Sequence, residues 1–288
     1  MSSNPKFKLS SSGVDFTKTT HHDTYDYIKP EQFNMKDHAV FITGASKGIG
    51  RATAISYAKA GASHIAVAAR RDMADVEAEL DRATKAAGKQ PPVQEAAKKV
   101  EKAFGRLDIL VNNAGYLEKT DPLHESQVDD WWRTWQVNVK RPYIVTRAFL
   151  PLLFNSKDSL KTILNVPSIA ANSLHPGTSA YECGKLALLR FRESVNAEYA
   201  DKDILSFGIH PDGIVTDLFR DMPDSLHAML NDTPELAADS IVWMTAERRD
   251  WLKGRYISCN WDMQEFLGKR QAIEDGDLLK VRLDVGLS

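Results

Sequence analysis

Few cysteines occur in this sequence, and their placement argues against two classes of site. Cys183 and Cys259 are the only cysteines among 288 residues. Their wide separation gives neither a disulfide framework nor the close spacing of a metal site, so we predict no bound metal. Cysteine usage of this kind fits a reducing compartment. We therefore expect a cytoplasmic protein.

Long apolar runs and an excess of charge of one sign are also missing. No stretch approaches the roughly 20 apolar residues of a membrane-spanning helix, and the N-terminus shows no apolar signal-peptide core. A formal net charge of −2 gives no general reason to bind nucleic acid or a membrane surface. Contents of 43% hydrophobic and 26% charged residues are typical of a globular chain with a substantial core.

A glycine-rich turn between a predicted strand and a predicted helix is the first functional signal. The apolar run 39–42 leads into TGASKGIG at 43–50, and an alanine-rich helical pattern then runs to residue 60. Glycine allows the backbone to turn tightly and to approach a ligand closely. The first turn of a helix offers free N–H groups to a phosphate. The spacing is a variant of the dinucleotide fingerprint, so we predict a dinucleotide here.

The end of the second predicted strand indicates which dinucleotide is bound. The strand 64–69 ends at Arg70, which stands 20 residues after Gly50. A fold that prefers NAD places an acid near this position, on the ribose 2′-hydroxyl. No acid directly precedes Arg70, and arginine can pair bidentately with a 2′-phosphate. Lys47 adds positive charge within the glycine turn. These residues favour NADP(H) over NAD(H).

Alternating strand and helix patterns predict the fold class. They indicate a Rossmann-type, doubly wound α/β fold with a mostly parallel sheet and helices on both faces. We predict one domain at 38–262, between an N-terminal extension at 1–37 and a C-terminal tail at 263–288. The predicted strands are 39–42, 64–69, 107–111, 162–166, 204–209 and 256–260.

One expected strand has no clear counterpart in the sequence. Residues 72–104 show two charged, alanine-rich helical patterns, 73–87 and 93–104, joined by GKQPP at 88–92. No β-branched run there could supply the usual third strand, and proline is tolerated only at a sheet edge. We therefore expect the sheet to lack an edge strand and part of its adenine pocket.

Polar residues stand at the ends of several predicted strands. Asn112 follows one strand and precedes the small pair Ala114-Gly115, which leaves room for a flat ligand, and Ser168 follows another. In open α/β sheets, ligands bind outside the carboxyl ends of the strands. Asn138 lies between two valines within a long helical region, where a buried amide needs partners. Its role could be structural or catalytic.

A tyrosine and a lysine four residues apart supply candidate proton chemistry. Tyr181 and Lys185 share one face of a predicted helix that runs to about residue 199. A nearby cation lowers the pKa of a phenol from its usual value of about 10. Such a phenol can exchange a proton near neutrality, as carbonyl–alcohol chemistry requires. Taken alone, the pair also fits an ordinary solvated helix contact.

Taken together and in this order, these motifs resemble the short-chain dehydrogenase/reductase family over roughly residues 38–262. The N-terminal extension and Trp261-Asp262 are similar to fungal members associated with secondary metabolism. The resemblance implies an NADP(H)-dependent oxidoreductase that interconverts a carbonyl and an alcohol of a small organic substrate by hydride transfer. It also implies a homodimer or homotetramer built on the helices after Trp135 and around Tyr181.

The resemblance implies a role for each matching residue. Tyr181 would be the acid in reduction or the base in oxidation, and Lys185 would hold the nicotinamide ribose and depress the tyrosine pKa. Ser168 would hydrogen-bond the substrate oxygen, and Asn138 would order a water in a proton relay. The implied cofactor contacts, besides Arg70, Tyr181 and Lys185, are Thr43, Gly44, Ser46, Lys47, Gly48, Ile49, Gly50, Asn112, Ala114, Gly115, Gly213, Val215 and Thr216.

Three departures from the family pattern leave alternatives open. The third strand has no counterpart in the sequence pattern, Pro167 replaces a small polar residue, and Asp212 stands where glycine is more usual. Each could weaken cofactor binding. A catalytically weak dinucleotide-binding protein, acting as a sensor or partner subunit, is therefore the alternative, and an unstable, non-functional variant is a third reading. Residues 217–233 form either a substrate cover or a surface excursion and do not identify the substrate.

Overall fold

The computed structural model describes residues 13–69, 93–94, 97–219 and 230–283. Within these ranges, parallel strands form one seven-stranded sheet in the order β3-β2-β1-β4-β5-β6-β7. The strand order reverses between the neighbouring strands β1 and β4, and open α/β sheets bind ligands at such a switch point. The strands are β1 (Ala39–Thr43), β2 (His64–Ala68), β3 (Val93–Gln94), β4 (Ile109–Asn112), β5 (Thr162–Asn165), β6 (Leu205–His210) and β7 (Tyr256–Ser258).

Helices cover both faces of the sheet, as the doubly wound prediction requires. Among the described residues, no helix combines the length and apolar character needed to cross a membrane. The helices are α1 (Gly48–Lys59), α2 (Ala97–Phe104), α3 (Val128–Trp135), α4 (Arg141–Asn155), α5 (Ser179–Glu198), α6 (Pro234–Thr245), α7 (Met263–Gly268) and α8 (Arg270–Asp275), and a π-helical segment, Gln136–Lys140, joins α3 to α4.

The strand period explains the two apolar cores. Successive side chains of a strand point to opposite faces. In β1, Val40 and Ile42 pack into the core that includes residues of α1 and α6, whereas Phe41 packs into the core that includes Phe149 and Leu153 of α4. All five residues of β1 are buried, as expected for a central parallel strand.

The edge strand that we expected to be missing is present in a shortened form. Val93 and Gln94 pair in parallel with Ile65 and Ala66 of β2. A strand of two residues is too short to show alternation of apolar and polar residues in the sequence. Its position directly after Pro91-Pro92 also makes a strand there hard to predict. Val93 therefore belongs to the sheet, and the helical pattern assigned to 93–104 begins at Ala97. The helical pattern at 73–87 lies outside the described residues.

The described part of the N-terminal extension packs against the C-terminal elements. Ile28 and Met35 are fully buried. The Trp261 indole Nε1 donates a hydrogen bond of 2.8 Å to the Gly13 carbonyl oxygen. The Glu265 carboxylate accepts a hydrogen bond of 2.7 Å from the Lys18 backbone N–H. Residues 13–37 thus contribute to the same packed body as the sheet.

Candidate active site

The glycine turn after β1 has the backbone geometry that close approach of a ligand requires. Gly44 and Gly48 have positive φ angles of 71° and 55°, which glycine adopts without strain. A Cβ on Gly50 would lie 2.6 Å from the Gly44 carbonyl oxygen. Among the described residues, no side chain caps the N-terminus of α1, whose cap position is Lys47. The first-turn amides and the positive end of the helix therefore fit a phosphate.

Asn113, for which we predicted no role of its own, connects the loop after β4 to this turn. Its Nδ2 donates to the Thr43 carbonyl oxygen at 2.9 Å and to the Gly44 carbonyl oxygen at 3.3 Å. The Thr43 hydroxyl accepts hydrogen bonds from the Asn113 and Ala114 backbone N–H groups at 3.0 and 3.1 Å. The turn and the Ala114-Gly115 segment are therefore held together. A polar pair at a strand end was the only sequence signal for this contact.

Asn112, which we predicted to contact the cofactor, bonds to other residues of the fold through its side chain. Its side chain is buried, and Nδ2 donates to Thr146 Oγ1 and to Asn165 Oδ1, both at 3.1 Å. Asn112 Oδ1 has no hydrogen-bond partner among the described residues. The amide thus lies between β4, β5 and α4. The geometry gives no support to a side-chain contact with the adenosine.

Ser168 and Tyr181 meet beyond the carboxyl end of β5. Ser168 begins a short 3-10 turn, and its Oγ accepts a hydrogen bond of 3.2 Å from the Ala170 N–H. Tyr181 lies in the first turn of α5, and the Ser168 side chain lies near enough to its phenol to lower the phenol's pKa. Both residues are buried. The departure at Pro167 leaves Ser168 in ordinary extended backbone, with φ of −155°.

Lys185 lies one helical turn after Tyr181, as its spacing predicts. The Lys185 Nζ donates a hydrogen bond of 2.8 Å to the Val166 carbonyl oxygen and lies 5.4 Å from the centre of the Tyr181 ring. Burial lowers the pKa of Lys185 to about 8. That value is still above neutrality, so the amine is mainly a cation at pH 7.

The predicted direction of the Tyr181 pKa shift is wrong for the chain alone. Burial raises the pKa of Tyr181 to about 12, the hydrogen bond with Ser168 lowers it, and the negative charge of Glu118 raises it further. The Lys185 amine lies over the ring rather than bonding the hydroxyl, so it does not offset burial. At neutral pH Tyr181 is therefore the protonated phenol, which is the form that can donate a proton.

Asn138 occupies the π-helical segment between α3 and α4. Its Oδ1 accepts from the Tyr116 N–H at 2.9 Å, and its Nδ2 donates to the Tyr116 carbonyl oxygen at 2.7 Å. A Cβ built on Gly115 would lie 3.8 Å from both Asn138 Oδ1 and Lys185 Nζ. The structure thus brings Asn138, Gly115 and Lys185 together. Single-turn π segments often occur at functional sites. The water relay stays a prediction.

Residues after β6 lie against the glycine turn. The Thr216 side chain is 3.5 Å from the position of a Cβ on Gly48, and Asp217 forms an ion pair with Lys47. Val215 is exposed. The Gly213 N–H donates a hydrogen bond of 2.6 Å to Asp232. Ser46 and Ile49 lie within the turn itself. Arg70 and residues 220–229 of the predicted cover lie outside the described residues.

Asp212, the third departure from the family pattern, uses its carboxylate for contacts within the fold. Asp212 has a φ of 63°, and its carboxylate accepts hydrogen bonds from the Ser258 hydroxyl and the Asn260 N–H. It also lies 3.2 Å from His210 Nε2. Burial raises the pKa of Asp212, but the His210 imidazole and the hydrogen bonds outweigh burial and hold that pKa below its usual range. The carboxylate joins β6 to the end of β7.

We expect Asp212→Ala to destabilise the fold. The substitution leaves buried donors without an acceptor, which costs about 1–3 kcal/mol for each donor. Asp203→Ala is the matched control, because Asp203 also has a positive φ of 57° but is exposed. Urea unfolding at pH 7 should show a loss for Asp212→Ala at least about 2 kcal/mol larger than for Asp203→Ala. Equal losses of unfolding free energy in the two variants would show that the left-handed backbone conformation, and not the carboxylate contacts, accounts for the effect.

The same comparison has a predicted pH dependence. The folded-state pKa of Asp212 lies below its ordinary value, so its charge-dependent stabilisation is fully present above the unfolded pKa of about 4. That stabilisation is lost as the pH falls through the lowered, folded-state pKa. The difference between wild type and Asp212→Ala should therefore shrink at acid pH. A constant difference across this range would contradict a role for the carboxylate charge.

Known proteins resemble this chain both in sequence and in structure. The family model described as short chain dehydrogenase matches residues 38–226. Short chain dehydrogenases of Monascus purpureus and Monascus ruber are each 47% identical to the chain over 287 residues, covering 95% of this chain and 98% of theirs. A short chain dehydrogenase of Emericella variicolor is 39% identical, covering 94% of this chain and 97% of its own.

Solved structures share the fold at lower identity. A short chain dehydrogenase of Shigella flexneri complexed with NADP matches with a TM-score of 0.69 and 24% identity, covering 80% of this chain and 99% of that one. A 7α-hydroxysteroid dehydrogenase complexed with NADH and 7-oxo glycochenodeoxycholic acid matches with a TM-score of 0.68 and 22% identity. The match covers 82% of this chain and 97% of that one. The parallel sheet, the family match and the fungal relatives agree, and the chain belongs to the short-chain dehydrogenase family of oxidoreductases.

Proposed function

We propose that the chain interconverts a carbonyl and an alcohol of a small organic substrate by hydride transfer with NADP(H), and that Tyr181 is the acid or base. One observation carries the proposal: Ser168, Tyr181 and Lys185 form a buried cluster beyond the carboxyl end of β5. Open α/β sheets bind ligands at this end of their strands. A bound nicotinamide cofactor supplies or accepts the hydride.

In the direction of reduction, the side chains handle the proton and the developing charge. Tyr181 is protonated at neutral pH and can donate its phenol proton to the substrate oxygen. The Ser168 hydroxyl, which lies near that phenol, would hold the same oxygen and stabilise its negative charge. Lys185 is mainly cationic at pH 7, and its charge favours the phenolate that remains. Oxidation of an alcohol uses the same groups in reverse.

The cofactor preference rests on positive charge near the glycine turn. Lys47 is the N-cap residue of α1, where its amine forms an ion pair with Asp217, and Arg70 follows β2 in the sequence, 20 residues after Gly50. The relatives of known structure include one complex with NADP and one with NADH, so fold alone does not select between the cofactors. We propose NADP(H) because of the basic residues.

Thermal unfolding with each cofactor tests this preference. A ligand that binds only the native state at 100 times its Kd stabilises that state by about 2.7 kcal/mol. We expect a larger rise in Tm with NADPH than with NADH at equal concentrations. A larger rise with NADH would overturn the proposed preference.

The variant Arg70→Asp tests the residue behind the preference. Loss of a charged hydrogen-bonded pair costs about 1.5–3 kcal/mol, so we expect the ratio of NADPH to NADH affinity to fall at least about tenfold. Arg71→Asp changes the net charge equally and is the matched control. Equal effects of the two variants would show that general charge, and not a contact of Arg70, sets the preference.

The alternative of a catalytically weak dinucleotide-binding protein has lost its main support. That reading depended on the absence of the third strand, and β3 pairs with β2 at the edge of the sheet. Stoichiometric NADPH binding with no turnover on a broad panel of ketones, aldehydes and alcohols would restore it.

Assembly and location remain proposals. Tyr143 and Ile144 of α4 and Leu186 of α5 are 52%, 48% and 41% exposed, an unusual number of large apolar side chains on neighbouring helices. We propose a homodimer or homotetramer that covers this face, to be tested by the mass of the protein in solution. Both cysteines are free, which fits the reducing cytoplasm.

A further inference from the structure

We propose that Glu118 is a positioning residue for Tyr181, whose carboxylate fixes the first turn of the helix that carries the phenol. The inference rests on the proposed function, because it assigns Tyr181 the proton transfer. Glu118 stands three residues after Gly115, in the loop that follows β4. No local pattern in the sequence marks it, because an acid in a loop is usually solvated.

The contacts of Glu118 go directly to the backbone of the catalytic turn. Its Oε1 accepts a hydrogen bond of 3.1 Å from the Tyr181 N–H and one of 2.8 Å from the Ala180 N–H. Its Oε2 accepts a hydrogen bond of 3.0 Å from the Thr134 hydroxyl of α3. Glu118 is only 5% exposed. A buried carboxylate with these bonds holds the loop, α3 and α5 in one arrangement.

The Glu118 carboxylate accepts the hydrogen bonds that an N-cap side chain usually accepts. Thr178 is the N-cap residue of α5, but its side chain makes no cap hydrogen bond; its hydroxyl donates to the His175 carbonyl oxygen instead. The first amides of a helix need an acceptor, and a negative group there is favoured by the helix dipole. Glu118 supplies both the acceptor and the negative charge from a different segment of the chain.

The same loop is fixed on its other side by the π-helical segment. Tyr116 is held by Asn138 through its backbone N–H and carbonyl groups, and its hydroxyl donates a hydrogen bond of 2.6 Å to Asp130 of α3. Residues 116–118 therefore connect the Gly115 backbone to the start of α5. A shift of this loop would move the phenol relative to the cofactor side of the site. Misplacement by about 1 Å can reduce a rate roughly 100-fold.

The charge of Glu118 also affects the phenol. The carboxylate raises the pKa of Tyr181 beyond the increase that burial causes, while the Ser168 hydrogen bond lowers it. A variant that keeps the hydrogen bonds but loses the charge should therefore lower the pKa of the phenol. Ionisable groups near Glu118 and Tyr181 are Tyr116 in the loop, Asp130 and Arg133 of α3, and Lys185 of α5.

Two variants separate the acceptor from the charge. Glu118→Ala removes the acceptor, and we expect kcat to fall by about 10- to 100-fold with little change in the Kd for NADPH. Glu118→Gln keeps an oxygen for the α5 amides, so it should recover most of kcat. Its pH profile for alcohol oxidation, which rises as Tyr181 loses its proton, should move to lower pH. Asp262→Ala is the matched control, since Asp262 caps α7 through the Glu265 N–H.

Hydrogen exchange of the peptide that contains Ala180 and Tyr181 gives a readout that does not need turnover. Exchange there should be faster in Glu118→Ala than in wild type and Asp262→Ala. If wild type turns over and Glu118→Ala matches Asp262→Ala in kcat, pH profile and exchange, the positioning role is wrong.

If wild type binds NADPH but never turns over, the proposed function fails. Faster exchange in Glu118→Ala then still supports the placement of Tyr181 by Glu118, and unchanged exchange overturns it.

Discussion

Tyr181→Phe is expected to reduce turnover by about 10²- to 10⁴-fold, the usual contribution of a positioned acid or base. The substitution keeps the ring and removes only the phenol hydroxyl, which lies near the Ser168 side chain. Lys185 stays bound to the Val166 carbonyl oxygen, so the cofactor side of the site is left intact. We therefore expect kcat to fall while the Kd for NADPH, measured by fluorescence titration, changes little.

Tyr57→Phe is the matched control for this experiment. Tyr57 is fully buried, and its hydroxyl lies 2.6 Å from the Thr245 hydroxyl between α1 and α6. Both variants remove the hydroxyl of a buried tyrosine, so each should lose about 0.5–1.5 kcal/mol of unfolding free energy. Only Tyr181→Phe should lose activity. Comparable kcat in Tyr181→Phe and wild type would remove Tyr181 from the proposed mechanism.

The predicted meeting of distant residues rested on a general property of parallel sheets. Gly44, Ser168 and Tyr181 are far apart in the sequence, yet the end-of-strand rule placed the first two at one edge of the sheet. The structure confirms that sheet and brings Tyr181 to Ser168. The order of the motifs was sufficient to predict this part of the site, because the direction of parallel strands determines which strand ends are neighbours.

Properties that depend on burial and on contacts between segments could not be read in the same way. The spacing of Tyr181 and Lys185 gave their shared helix face but not the depth of burial, which reverses the predicted pKa shift. Asp212 looked like an obstacle because its partners, at the end of β7, are about 46 residues away along the chain. Glu118 caps a helix that begins 61 residues later. Contacts between segments so far apart along the chain leave no local pattern in the sequence.

Gly50→Ala is expected to impair both the fold and cofactor binding. A Cβ at this position would lie 2.5 Å from Asn113 Nδ2 and 2.6 Å from the Gly44 carbonyl oxygen. The second contact is with backbone, and the first is with the amide that bonds the Thr43 and Gly44 carbonyl oxygens. Neither atom can withdraw without moving the turn. Overpacking of this kind costs about 1–3 kcal/mol.

The effect on the cofactor should exceed the effect on stability. The amides at the start of α1 bind phosphate only while the turn keeps its shape, so we expect the rise in Tm with NADPH to be largely lost. Gly268→Ala is the matched control, because a Cβ there meets no atom within 4 Å at the end of α7. It should keep the full NADPH response and unfold within about 1 kcal/mol of wild type. A normal NADPH response in a folded Gly50→Ala protein would mean that the dinucleotide does not bind at this turn.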